Sequence, residues 1–306
     1  MTKSLDGAGL PRPRGSEAPA HGAPESPSLM DRLKRPGPMV TVELRPPRSG
    51  LSAAEGMEAW IDRNHSIRSL ALKDTFVFLT DDAVGSHEEE NLGHVAANVG
   101  SDVPFSRLIP FLTTKHPIEY CLMYADRAQS LGFEALTVVG GDTSVGPPRC
   151  VPHAYELRQR IRERQPGLSL GGWANPHRDV RQQVEYLGAD DFSADFYLTQ
   201  VVSHHSADRV AAFLEECDRQ GLDTPGIFGV FYYWSAQPGT LGRLAEFFPV
   251  PAEGLEREFE AGATPEDVLG KTLEALRAAG ADRVYVSNLG HRRVGDRLAK
   301  VLANRS

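Results

Sequence analysis

Three short motifs each end a Val/Leu-rich run on a polar side chain suited to chemistry. They are Val42-Glu43-Leu44-Arg45-Pro46-Pro47, Val138-Val139-Gly140-Gly141-Asp142 and Tyr197-Leu198-Thr199-Gln200. Glu43 has apolar neighbours on both sides. Desolvation there would favour the protonated carboxyl and suit a general acid working near neutral pH. The competing reading is a strand-end carboxylate paired with Arg45. Asp142 follows two glycines, which admit a ligand or another backbone at close range. It reads either as a carboxylate facing a cationic or N–H-rich ligand, or as a cap for the turn through Thr143 and Ser144. Gln200 carries a donor and an acceptor, which suits an amide-like ring edge, or else it is satisfied by backbone at a strand end.

These residues lie far apart in the chain, so only a fold that gathers strand ends could unite them. Buried-strand runs occur at 39–44, 75–80, 107–112, 135–139, 168–173, 194–199, 226–231 and 282–287. Helical patterns alternate with them near 52–63, 87–98, 117–131, 153–164, 177–187, 206–220, 236–247, 265–279 and 292–303. Ser206 and Thr264 stand where helix caps are expected, and Gly221 and Gly280 where helices stop. The alternation over 39–306 predicts an α/β chain folded as a single (β/α)8 TIM barrel. An open doubly wound sheet should show a glycine-rich phosphate turn after its first strand, and Arg45-Pro46-Pro47-Arg48-Ser49-Gly50 has none.

Barrel chemistry sits at the carboxyl ends of the strands. Those ends supply Glu43, Asp81-Asp82, Thr113 through His116, Asp142, Asn175, Gln200, Tyr232-Tyr233-Trp234, then Ser287, Asn288 and His291. Such a polar and aromatic mouth suits a flat heterocycle. Trp173 and the Tyr232–Trp234 run could stack on it or simply pack. No metal site is expected: His204 and His205 are adjacent and should point apart, while His87 and His94 share a helix face without a third partner. Lys115 reads as a solvated lysine rather than a Schiff-base former. Gly290-His291-Arg292-Arg293 reads equally as a phosphate loop or as surface arginines.

Composition bounds the rest. Residues 1–38 hold seven Pro and five Gly and read as a disordered tail, without the apolar stretch of a secretory signal. Met30 or Met39 could serve as an alternative start. No apolar run is long enough to span a membrane. Net charge of −8 argues against a nucleic-acid partner. Three scattered cysteines fit a reducing cytoplasm rather than a disulfide framework.

The motifs together resemble the methylenetetrahydrofolate reductase family over roughly residues 39–295. Val42 through Pro47 is similar to its F-E-F-F-P-P, Val139-Gly140-Gly141-Asp142 to its L-R-G-D, and Ala194 through Gln200 to its G-A-D-F-x-x-T-Q. The resemblance implies reduction of 5,10-methylenetetrahydrofolate to 5-methyltetrahydrofolate by a reduced nicotinamide, a step in methionine biosynthesis. It makes Glu43 the general acid that opens the folate ring to an iminium ion. Asp142 would hold the pterin and offset the developing positive charge, and Gln200 would bind the pterin edge. Asn175 and Tyr232 complete the expected folate site, and Thr113, Trp173, His177 and Asn288 the nicotinamide site. Departures cluster on the flavin side. The family's strand-four arginine is Gly140 here, its strand-three histidine is Phe111, and its strand-five Y-P-E is Asn175-Pro176-His177. The lysine ahead of its strand-six motif has no counterpart, Ala189 or Asp190 lying there. This pattern is similar to the flavin-independent reductases of mycobacteria and related actinobacteria. It implies NADH, with NADPH as the alternative, and no FAD. A conventional FAD enzyme and a non-catalytic folate-binding barrel remain the alternatives.

Overall fold

The computed structural model describes residues 27–48, 50–80, 88–100, 102–142 and 146–303. Eight parallel strands close in sequence order into a barrel. They are β1 (Met39–Leu44), β2 (Val77–Leu79), β3 (Leu108–Thr113), β4 (Ala135–Val139), β5 (Ser169–Ala174), β6 (Phe196–Val202), β7 (Gly226–Phe231) and β8 (Arg283–Ser287). The helices are α1 (Leu29–Lys34), α2 (Ala53–Ala71), α3 (Glu88–Asn98), α4 (Ile118–Ser130), α5 (Ala154–Arg164), α6 (Val180–Leu187), α7 (Ala207–Gln220), α8 (Pro238–Ala245), α9 (Ala252–Glu260), α10 (Pro265–Ala278) and α11 (Val294–Ala303). The expected (β/α)8 architecture is the one found, with three helices rather than one between β7 and β8.

Strand alternation sorts the apolar residues into two cores. Val42, Leu44, Leu112, Leu136, Val138, Tyr197, Val230 and Val286 point outward and pack against the helices. Met39, Phe78, Ile109, Phe111, Ala135, Phe196, Leu198, Ile227 and Tyr285 fill the barrel axis. The axis is therefore solid below the mouth. At its lower end it is closed by α1, whose Leu29 and Leu33 are 1% and 2% exposed and belong to the axis cluster.

That helix corrects the expected tail boundary at residue 38. Ser28 caps α1 reciprocally with Asp31. Arg32 ties its end to the Pro38 carbonyl at 2.5 Å, and Arg283 of β8 reaches the Arg35 carbonyl at 3.3 Å. The Pro/Gly average over 38 residues hides one i,i+4 leucine pair. The expected cap at Ser206 also differs. Its hydroxyl accepts from the Ser203 amide at 3.0 Å, within a 3-10 turn that precedes α7. The cap at Thr264 is present, a capping box with Asp267 and Pro265 in the first turn. No helix among the described residues is long and apolar enough to cross a membrane.

Candidate active site at the barrel mouth

Glu43 follows Met39 and Thr41 on the inward face of β1, and its side chain is 10% exposed. Register places Val42 beside Val286 and Phe231 beside Ser287, so Glu43 meets the end of β8. The Ser287 hydroxyl donates to Glu43 Oε2 at 2.5 Å, and Arg45 Nε donates to Oε1 at 3.2 Å. Arg45 itself is 61% exposed and stands on the rim. The carboxylate is thus largely removed from water, and it is paired with Arg45. Below it, buried Tyr285 donates to the Thr199 carbonyl at 2.6 Å. Burial, and then the nearby Glu43 charge, hold its phenol well above the usual pKa.

Asp142 lies half-buried just past β4, three strands around the barrel from β1. The close approach that Gly140 permits is made by this chain's own Arg149. A Cβ on residue 140 would sit 2.7 Å from the Arg149 guanidinium carbon. Arg149 Nη2 donates to the Gly141 carbonyl at 2.7 Å, and Thr114 Oγ1 to the Gly140 carbonyl at 3.0 Å. Thr143 and Ser144, the expected partners of a capping Asp142, lie outside the described residues, as do Asp81, Asp82 and His87.

Gln200 sits at the rim on a β-bulge between Leu198 and Val201. Its Oε1 accepts from the Val201 amide at 2.9 Å, and its Nε2 donates to the Phe247 carbonyl at 3.3 Å. Here the backbone-satisfied reading describes the resting state. Trp173 is half-buried near the end of β5 and packs, with Val139, against the axis cluster. Thr113 is 2% exposed, its hydroxyl oxygen 3.4 Å from the Lys115 amide.

The remaining expected residues are placed otherwise. Tyr232 is 1% exposed in the outer core, where its hydroxyl meets Glu266 and Arg297. Burial, with Glu266 next, pushes its pKa up to about 12. Alternation along β7 gives the inward position to Phe231, so Tyr232 does not line the mouth. Asn175 closes a local turn, its Oδ1 accepting from the His177 amide at 3.0 Å. His177 Nε2 lies 2.8 Å from the Val201 carbonyl. Asn288 adopts φ +67°, donates to the Tyr232 carbonyl at 3.0 Å and accepts from Trp234 Nε1 at 3.0 Å. These three hold loops together.

Other expectations change as well. Lys115 is not solvated: it is 4% exposed and its ammonium donates to the Pro147 carbonyl at 3.0 Å. It borders a cleft of about 420 Å³ shared with Arg149 and Cys150. Arg292 and Arg293 pair with Asp62 and Asp296 at 2.7 and 3.2 Å, the surface reading of that loop. His204 and His205 do not point apart, since both rings turn toward Glu258. Ser287 was legible as a strand end, but its role required the register of β8 against β1. The inward parity of Tyr285 and Ser287 was the available signal.

No family model matches the sequence. No curated protein matches it either. Among solved structures, an uncharacterized protein from Clostridium thermocellum that binds two copies of 5-methyl-5,6,7,8-tetrahydrofolic acid shares the fold. The two superpose with a TM-score of 0.60 at 18% identity, over 89% of this chain and 95% of that one. A pyruvate carboxylase from Rhizobium etli aligns with a TM-score of 0.52 at 11% identity, over 89% of this chain and 25% of its own. At these identities the likeness is one of fold.

Proposed function

We propose that the barrel mouth reduces 5,10-methylenetetrahydrofolate to 5-methyltetrahydrofolate with a hydride taken directly from NADH. The observation that carries this reading is the setting of Glu43. A carboxyl only 10% exposed sits at the catalytic end of a barrel, gripped by one hydroxyl and one rim cation. The folate-binding protein of the same fold supports a reduced folate as the ligand of such a mouth.

In this reading Glu43 gives its proton to the folate ring nitrogen, the five-membered ring opens, and an iminium carbon is exposed. Arg45 must leave Glu43 for the carboxyl to carry that proton. Arg45 is 61% exposed, so its guanidinium can swing away into solvent. Asp142 faces the developing positive charge from across the mouth. Gln200 must release Val201 and Phe247 before its amide can meet the pterin edge.

Trp173 fits a nicotinamide as a flat half-buried ring, while Thr113, 2% exposed, would support the site from behind. Asn175, His177 and Asn288 spend polar atoms on neighbouring backbone and would contribute shape. When bound, the reduced nicotinamide supplies the hydride. Arg149 supports the flavin-independent form, because its guanidinium fills the space beside Gly140 that the family's flavin-contacting arginine would enter, and it would have to move to admit one.

One observation favours a second reading, a folate-binding barrel without catalysis: both Glu43 oxygens are partnered as they would be for a resting carboxylate. The deciding experiment follows NADH oxidation by flavin-stripped protein with 5,10-methylenetetrahydrofolate, then repeats it with FAD added. Full turnover without FAD is the expected result. Turnover only with FAD would establish a conventional relay. Calorimetric folate binding with no oxidation in either condition would establish the binding barrel.

A further inference from the structure

The turn that leaves β6 and the three-helix segment between β7 and β8 bring a second constellation together, away from the barrel axis. His204 opens the 3-10 turn, and Glu258 comes from the last turn of α9. His204 Nε2 is 2.8 Å from Glu258 Oε1, and its Nδ1 is 2.8 Å from Thr272 Oγ1 on α10. His205 Nε2 is 3.6 Å from Glu258 Oε2. One potential ligand atom from each of the three residues lies within 4.8 Å of the others. The His204 and Glu258 side chains are 7% and 14% exposed.

Two details point to an occupant. Glu258 Oε2 is buried without a hydrogen-bond partner. Its 3.6 Å gap to His205 is too long for a hydrogen bond. It is close to the separation of about 3.3–3.5 Å between two ligands held at 2.0–2.2 Å by one tetrahedral ion. The second detail is Gly254, where a Cβ would sit 2.4 Å from His205 Cε1. Only glycine lets that ring lie over α9 and turn toward the carboxylate.

We propose that His204, His205 and Glu258 form a transition-metal site suited to zinc, with a fourth position open to water. Two imidazoles and a carboxylate are a donor set that zinc accepts. Thr272 takes the Nδ1–H of His204 and so fixes the tautomer that leaves Nε2 as a ligand, the usual outer support of a metal-bound histidine. The His204–Glu258 contact has to open by about 0.5 Å to admit the ion. The ammonium of Lys271, which touches Glu258, is 60% exposed and gives way to solvent. The ion would clamp α9 and α10 to the exit of β6. That clamp bears on the mouth, because Gln200 leans on Phe247, between α8 and α9. The proposal is independent of the folate reading.

The full chain, freed of metal with a chelator, is titrated with cobalt(II) as a visible probe and with zinc in competition against a chelating dye. Expected are one equivalent of cobalt with the strong d–d bands of a four- or five-coordinate site, and displacement of that cobalt by zinc. Glu258→Gln and His205→Ala should each weaken zinc binding at least tenfold, Thr272→Val about tenfold, and Lys271→Met should tighten it. Zinc should also raise the melting temperature of the unmodified protein but not of His205→Ala. Pale octahedral cobalt spectra, or zinc affinity unchanged across folded variants, would overturn the proposal.

Discussion

Glu43 is held by two groups with different jobs. Arg45 is an exposed cation able to leave, whereas Ser287 is 3% exposed and fixes the orientation of one carboxylate oxygen. Glu43→Gln keeps the shape and removes the proton, so folate affinity should stay within about threefold while turnover falls by about 10²–10⁴. Isothermal titration and single-turnover kinetics would check both, and near-normal turnover would remove Glu43 from the mechanism. Ser287→Ala loosens the carboxylate without discharging it. Its kcat should drop by about tenfold with KM little changed, a split that a purely structural role would not give. Tyr232→Phe is the contrasting control. Turnover should hold within about twofold, and stability should fall by about 1 kcal/mol as the Glu266 and Arg297 contacts vanish. A large loss of activity there would contradict the outward placement of Tyr232.

Among the elements, all eight strands were legible because each is a short Val/Leu/Phe run between turn signals. What escaped was short or decided by neighbours. α1 occupies a stretch read as tail and α9 one to which no element was assigned, and each presents only one apolar i,i+4 pair, Leu29/Leu33 and Leu255/Phe259. Glu43 could be read from its own strand. The partner Ser287 could not, since it lies 244 residues away, and Tyr232 was misread because four consecutive aromatics, Phe231 through Trp234, mask the alternation. The convergence of His204 and Glu258 spans 54 residues and has no local pattern. The loop between β8 and α11 carries a pH prediction. Burial, and then the Arg63 charge, press the His291 pKa from 6.5 to about 4. The unfolded chain then takes up the proton first as pH falls. Stability from this residue is complete above pH 6.5 and is lost between there and about pH 4, by about 1–3 kcal/mol for a partly exposed ring. Urea midpoints of the natural protein and His291→Asn should differ by an amount that changes across this window. A constant difference would sink the idea.

For the whole molecule, the decisive feature is a barrel filled along its axis and sealed beneath by α1. Leu33 is 2% exposed, so Leu33→Ala should cost about 2–5 kcal/mol, read from the shift in urea midpoint. A chain begun at Met39 would lose the seal altogether and expose Phe76 and Met39 to solvent. It should express as an aggregating species, and a soluble monomer of unchanged stability would show that α1 is dispensable.

A barrel filled along its axis is open to ligands at the mouth alone, and that imposes a sequence on traffic. If substrate and nicotinamide meet at the mouth as proposed, the packed axis at Phe78, Phe111 and Tyr285 keeps them from entering or leaving by opposite ends. Whichever seats deeper has to arrive first and depart last. A queue of this kind should leave its mark on steady-state kinetics. Double-reciprocal plots should intersect rather than run parallel. The product that leaves last should inhibit competitively against the substrate that enters first, and noncompetitively against the other. Parallel lines would mean that the two never occupy the mouth together.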